Sequence, residues 1–311
     1  LIAPLTLDFE VDASVFNIAS YLDERKQWVD KTLSDCLNRM DPWPPLLREA
    51  VDYSLFAGGK RVRPVLALAS LEAVGGKVET ALPLVCALEF IHTYSLIHDD
   101  LPAMDNDDFR RGLPTNHKKF GEGIAILAGD ALLTSAFSIL TDPSWTDAYP
   151  PQTCLAACHE LSIGAGGEGM VGGQLMDIVL EGKRIDPVTL RLIHSKKTGA
   201  LIRAAIRLGA ILGGAGEEEL TSLTRYGEKV GLAFQIADDI LDVEGTRQEM
   251  GKSTQRDREN QKNTYPSLLG LDRSKELSRT LVEEALASLR RFDHRAEPLR
   301  AIARFIIERK K

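Results

Sequence analysis

The chain has 311 residues, 44% of them hydrophobic and 27% charged, with a formal net charge of −7. That length permits one large domain or two, with a sizeable core, and the acidic balance argues against general nucleic-acid binding. No uncharged apolar run approaches the ~20 residues of a membrane span, so no integral membrane association is expected. Cys36, Cys86, Cys154 and Cys158 sit in apolar helical contexts, as in a reduced, cytoplasmic protein. The start, Leu1-Ile2-Ala3-Pro4, lacks the basic-then-apolar pattern of a signal peptide.

Helical periodicity dominates and strand-like alternation is nearly absent. Ser14 is placed to cap a helix reaching about Met40. Pro45 opens a second, ending at Gly58-Gly59, and Pro64 a third, ending at Gly75-Gly76. Thr80 precedes a long helix that carries His92 and stops at the first aspartates. Helices follow at 121–141 and about 152–180, the latter interrupted between Gly164 and Gly173. Asp186-Pro187 is an N-cap with proline at the first helical position, and that helix is predicted to run to about Leu212. Further helices span about Glu217 to Glu244, 273–292 and 295–309. Short connections suit an antiparallel bundle, and no long linker divides it. An all-α single domain over 1–311 is the expected architecture, with 198–214 buried nearly all round.

The stretch from Asp99 to Asp108 packs five aspartates into ten residues at the mouth of an apolar helix. Such crowded carboxylates call for cations, and oxygen-only ligands suit Mg²⁺ before Zn²⁺. It is not an EF-hand, because Arg110 stands where that loop requires glycine. Asp238-Asp239-Ile240-Leu241-Asp242 echoes it, with Asp238 and Asp242 one turn apart on one helix face. Facing each other across a bundle, the two clusters would hold several Mg²⁺ ions, whose shells substrate phosphates usually complete. Arg110 and Arg111 add planar forks suited to phosphate. Lys60, Arg61 and Arg63 lie in a glycine turn before a helix start, which suits a diphosphate. The P-loop spacing is missing. His92 shares a helix face with Asp99, whereas His98 and His117 read as structural. Val230, Phe234, Ala237 and Leu241 form an apolar stripe beside a polar one of Gln235, Asp238 and Asp242, the pattern of a cavity wall. Lys196, Lys197, Thr198, Lys252 and Lys262 complete the cationic set.

Together GGKRVRP (58–64), HTYSLIHDDLPAMDNDDFRRGLPTNH (92–117), GGQLMD (172–177), KTGALI (197–202), FQIADDILD (234–242) and GK…KNTYP (251–266) resemble the trans-isoprenyl diphosphate synthases, nearest the bacterial farnesyl branch. The resemblance covers nearly the whole chain. It implies an isoprenoid-synthase fold, a homodimer and dependence on up to three Mg²⁺ ions. By resemblance, Asp99 and Asp105 ligate two of them, Asp100 supports them, and Asp238 ligates the third. Asp239 and Asp242 act mainly through waters. Arg110, Lys197, Thr198, Gln235 and Lys252 hold an allylic diphosphate, with Lys262 close by. Lys60, Arg63, His92 and Arg111 bind isopentenyl diphosphate without metal. Asp99, Asp105, Arg110, Lys197, Asp238 and Lys252 form the expected catalytic set.

The implied reaction ionises the allylic C–O bond, joins the carbocation to isopentenyl diphosphate and eliminates a proton. Cations stabilise the departing diphosphate, and an apolar cavity keeps water away. The tail is expected to run down the helix below Asp99, past Ser95 and bulky Tyr94. In the resembling family an aromatic residue there, with the longer DDLPAMD spacing, marks enzymes that stop at fifteen carbons. A geranylgeranyl or geranyl diphosphate synthase is the near alternative. A terpene cyclase would be expected to lack GGKRVRP and the second DDxxD, and a non-catalytic regulatory subunit would be expected to carry damaged motifs.

Overall fold

The computed structural model describes residues 16–40, 42–248 and 263–308. The first helix, α1 (Ile18–Met40), is capped by Asn17, whose Oδ1 accepts from the Ser20 amide at 3.1 Å. Ser14, the expected cap, lies outside the described residues. Then follow α2 (Pro45–Leu55), α3 (Val62–Ala73) and α4 (Val78–Asp99). Pro64 lies inside α3 rather than opening it, because Arg61 in the left-handed region starts the helix earlier. A two-stranded hairpin, β1 (Phe109–Arg110) and β2 (Leu113–Pro114), follows α4. It is too short for periodicity to register.

The chain continues through α5 (Asn116–Phe120), α6 (Glu122–Thr141), α7 (Pro143–Thr146), α8 (Pro151–Ala165) and α9 (Met170–Leu180). Asp186 caps α10 (Pro187–His194), its Oδ1 accepting from the Thr189 amide at 2.7 Å. The predicted run to Leu212 is instead broken by a π-helical turn, Ser195–Gly199, before α11 (Ala200–Leu212). The long α12 (Glu217–Gln248), α13 (Tyr265–Leu269), α14 (Leu271–Ser288) and α15 (Glu297–Glu308) complete the described chain.

Two apolar cores meet along α3 and α11. One gathers α1, α2, α4, α6 and α8 around Leu33, Leu88, Phe90 and Leu132. The other gathers α12, α14 and α15 around Tyr226, Ile236, Val282 and Leu299. Alternate faces of α3 and α11 feed both, with Leu68 and Leu208 in the first and Leu66 and Ile206 in the second. These two helices are therefore buried nearly all round, as the Ala/Leu/Gly content of 198–214 implied.

Val78–Asp99 and Glu122–Thr141 are each long and apolar enough to cross a membrane. Their few charged residues interrupt an uncharged run without lowering the mean hydropathy enough to exclude a span. The apolar stretch of α4 is 67% buried within the bundle, which explains its composition as that of a core helix.

Candidate active site

The acidic end of α4 is built by a chain reversal. The Asp105 amide donates to the Asp99 carbonyl at 2.8 Å, and the Asn106 amide to the Leu101 carbonyl at 3.1 Å. Asn106 takes a positive φ of 51° to allow the turn. Asp105 thereby returns beside Asp99. Burial pushes the Asp99 carboxyl up to about 6; Lys197 opposes the shift and Asp105 adds to it. Neither Asp99 nor Asp105 has an ion pair among the described residues. A half-buried carboxylate made costly by its neighbour is what a bound cation relieves.

Asp100 is engaged differently. It is 3% exposed, and its oxygens accept from Arg110 Nε at 2.8 and 2.9 Å and from Nη2 at 2.6 Å. The pair anchors the hairpin to the helix end. Asp100, expected to support the metal ions, is committed to Arg110 in this structure. Arg110 is half-buried and keeps both Nε and Nη2 on this anchor. Asp108 pairs with Lys118 at 2.8 Å.

The second cluster follows the same division. Asp239, 4% exposed, accepts from Gln235 Nε2 at 3.0 Å and from the Tyr265 amide at 3.0 Å. Burial pushes its carboxyl up to about 7. Thr198 donates to Gln235 Oε1 at 2.9 Å, so one polar chain runs from the π turn through Gln235 and Asp239 to α13. Asp238 is half-buried and Asp242 exposed. The expected stripe differs in detail: Val230 and Ala237 are buried, while Phe234 and Leu241 are half-buried.

Lys197 reaches across to Asp177 of α9 at 2.6 Å. Asp177, Asp105 and Asn263 line one cleft between α9, α10 and the acidic loop. The π turn is held there by close packing. A Cβ on Gly173 would lie 2.2 Å from the Lys197 amide nitrogen, so only glycine lets α9 approach so near. Within GGQLMD, Gln174 is 8% exposed and its side-chain amide has no hydrogen-bond partner among the described residues. Lys252 and Lys262 lie outside the described residues.

A cationic cluster gathers around the Gly58-Gly59 turn, α3 and α4. The Arg111 guanidinium packs on the Gly58-Gly59 turn and donates to the Gly58 carbonyl. Burial draws Arg63 below the usual guanidinium value, and Arg111 adds to the effect; Glu89 and Asp238 oppose it. Its Nε is buried without a partner. Burial, followed by Arg63 and Arg111, holds His92 well below the ordinary imidazole range. Lys60 is exposed at the rim. A neutral His92 among arginines can donate one N–H to an anion.

Sequence reasoning passed over the foundation of this pocket. Arg61 is 3% exposed and Glu89 2%. They pair at 2.8 Å, with Arg61 also reaching Asp30 at 2.7 Å and the Leu55 carbonyl at 2.7 Å. The available signal was Glu89 itself, a lone carboxylate inside the apolar run of α4. Among the described residues, the non-glycine positions with positive φ are Arg61, Asn106 and Arg111. All three lie at this site, where backbone strain tends to concentrate.

No group of three or more carboxylate, imidazole or thiol side chains converges as a ready metal cage among the described residues.

A profile of the polyprenyl synthetase family matches residues 44–303. The chain belongs to that family. It is 48% identical to a geranylgeranyl diphosphate synthase of Cyanophora paradoxa, over 94% of this chain and 97% of the relative. It is 47% identical to a farnesyl diphosphate synthase of Geobacillus stearothermophilus, over 89% of this chain and 93% of the relative. The crystal structure of an FPP/GFPP synthase from Zymomonas mobilis superposes with a TM-score of 0.82 at 37% identity, covering 94% of this chain and 99% of that one. The protein is thus a prenyltransferase with the all-α isoprenoid-synthase fold.

Proposed function

We propose that the chain condenses isopentenyl diphosphate with dimethylallyl and then geranyl diphosphate, releasing farnesyl diphosphate. The observation that carries the fifteen-carbon reading is Tyr94, 7% exposed on α4, just over one turn below Asp99. The Asp99 charge reaches its phenol and, with burial, raises its pKa. Ser95, one turn from Asp99, is small and keeps its hydroxyl on the His92 carbonyl at 2.9 Å. A growing tail directed past Ser95 would meet the tyrosine ring.

The residues divide the work between two diphosphates. Lys197, Arg110 and the Thr198–Gln235 pair orient the allylic diphosphate on the metal side. Arg63, Arg111, His92 and Lys60 hold isopentenyl diphosphate on the other. Asp99, Asp105 and Asp238 would hold Mg²⁺, which when bound supplies positive charge to the leaving oxygens. The allylic C–O bond breaks, and its electron pair leaves with the diphosphate. The double bond of isopentenyl diphosphate attacks the allylic carbon. The proton then lost passes to the released diphosphate, since no side chain stands out as its base.

The relatives bearing geranylgeranyl names make a twenty-carbon product the second reading. Incubation with isopentenyl and dimethylallyl diphosphates plus Mg²⁺, followed by identification of the chain length, separates them. A fifteen-carbon product is expected. A twenty-carbon product would overturn the farnesyl assignment. Tyr94→Ala should lengthen the product while condensation continues.

Homodimerisation belongs to the same proposal. Ile126 and Leu127 on α6, Leu155 on α8, and Leu175 and Val179 on α9 are large, apolar and exposed. Sedimentation equilibrium is expected to give twice the chain mass.

A further inference from the structure

The residue next to the acidic cluster, His98, has a place in the fold that neither diphosphate site uses. It lies four residues after Tyr94 on α4, one turn along the same face. The two rings meet edge to face, with centroids 5.7 Å apart and planes at 81°. His98 is in turn fixed from α6. Its Nε2 donates to the Ile126 carbonyl at 3.0 Å. A Cβ placed on Gly129 would fall 2.1 Å from Nε2 and 2.5 Å from Cδ2. The imidazole therefore occupies the space that any side chain at position 129 would need. Gly129 is buried on α6, next to Ala128.

We infer that His98, seated on Gly129 and the Ile126 carbonyl, is the positioning residue that holds the Tyr94 ring as the product-length stop. The inference rests on the reading of Tyr94 given above. A tyrosine ring alone can turn about χ1 and χ2, and a turned ring yields space to a longer tail. The edge-on imidazole removes that freedom from one side. The seat on α6 keeps the imidazole itself from turning. Product length is then set by two helices, through a residue that touches neither the metals nor the diphosphates.

The geometry also makes the substitutions usable. The atoms that alanine at 129 would meet belong to the far end of the His98 side chain. His98 can swing away, so the bundle accommodates Gly129→Ala by losing the seat rather than by moving backbone.

The test is product analysis of the full-length enzyme supplied with isopentenyl and geranyl diphosphates and Mg²⁺. Wild type, Tyr94→Ala, His98→Ala, Gly129→Ala and the pairwise doubles are compared, with thermal melting as the check on folding. In His98→Ala the ratio of the next longer product to the wild-type product should rise about two- to tenfold, the range an edge-on aromatic contact supports. Gly129→Ala should shift it in the same direction. KM for isopentenyl diphosphate should stay within about twofold, because no diphosphate contact changes. The double His98→Ala/Gly129→Ala should match His98→Ala alone, since both act on one seat. His98→Ala should add nothing in the Tyr94→Ala background.

If Tyr94→Ala lengthens the product while His98→Ala and Gly129→Ala keep the wild-type distribution, the positioning role is wrong and the Tyr94 reading stands. If Tyr94→Ala changes nothing, both fall. A wild-type product of twenty carbons removes the farnesyl assignment. In that case the seat is upheld when His98→Ala and Tyr94→Ala each lengthen the product non-additively, and overturned when they do not.

Discussion

Asp99 and His194 show how burial sets the behaviour of single residues here. At Asp99 the folded carboxyl is raised to about 6, so its charge is available near neutrality but strained until a cation arrives. Asp99→Ala should lower turnover by roughly 10³-fold or more, the scale of losing a principal electrostatic contribution to leaving-group departure. Steady-state kinetics at saturating Mg²⁺ decides it, and near-wild-type turnover would end the metal assignment. His194 is 9% exposed with its ring 5.4 Å from that of Tyr265. Burial draws its pKa down to about 4. In the unfolded chain an imidazole titrates near 6.5. The unfolded state therefore takes up the proton first as pH falls, and stability is lost from about pH 6.5 downward. Between pH 7 and pH 4 the loss from this residue is on the order of 3 kcal/mol. Urea titrations across that range should show a flatter profile for His194→Leu. Equal slopes would refute the assignment.

At the scale of elements, the decisive device is the π turn between α10 and α11. It widens the helix by one residue and redirects Lys197 toward Asp177 and Thr198 toward Gln235. Periodicity alone predicts an unbroken helix from Pro187 to Leu212. The turn survives because α9 and α12 pack directly against it, at Gly173 and Gly231. Gly173→Ala sets a Cβ against backbone that cannot step aside. It should cost about 1–3 kcal/mol of stability and raise KM for the allylic diphosphate. A variant with unchanged melting and unchanged KM would show that the close approach is dispensable. The hairpin from Phe109 to Pro114 works similarly. Its two-residue strands carry no alternating signature, yet the Asp100–Arg110 anchor fixes it against the end of α4.

Across the whole molecule, two groups of charged side chains meet around α4. Lys197, which acts on Asp99, and the Thr198–Gln235–Asp239 chain lie toward α9, α12 and the π turn. The arginine pocket lies toward α2 and α3, founded on the buried Arg61–Glu89 pair. Lys60→Ala or Arg63→Ala should therefore raise KM for isopentenyl diphosphate more than for the allylic substrate. Lys197→Ala should show the reverse preference or a fall in kcat. Two-substrate kinetics measures both, and equal weakening of both substrates by both sets would dissolve the division.

Local chemistry is why so much of this protein was legible in its sequence. Helices announce themselves through period, proline and Asp186-type caps, and carboxylates too crowded to coexist without cations announce a phosphate-handling site. Asp99, Asp105 and Asp238 stand out as candidates on those grounds, and the role of Lys197 enters only with the family resemblance. What the sequence could not express is who occupies whom. Asp99 and Asp100 are adjacent and chemically identical, yet one has no ion pair among the described residues and the other is committed to Arg110. Arg61 and Arg63 are two residues apart, yet one is buried as a foundation and the other faces the pocket. The π turn depends on glycines from two other helices, and the seat of His98 depends on a missing side chain across α6. Those choices belong to tertiary structure, because pairing, burial and steric room are properties of residues brought together from distant parts of the chain.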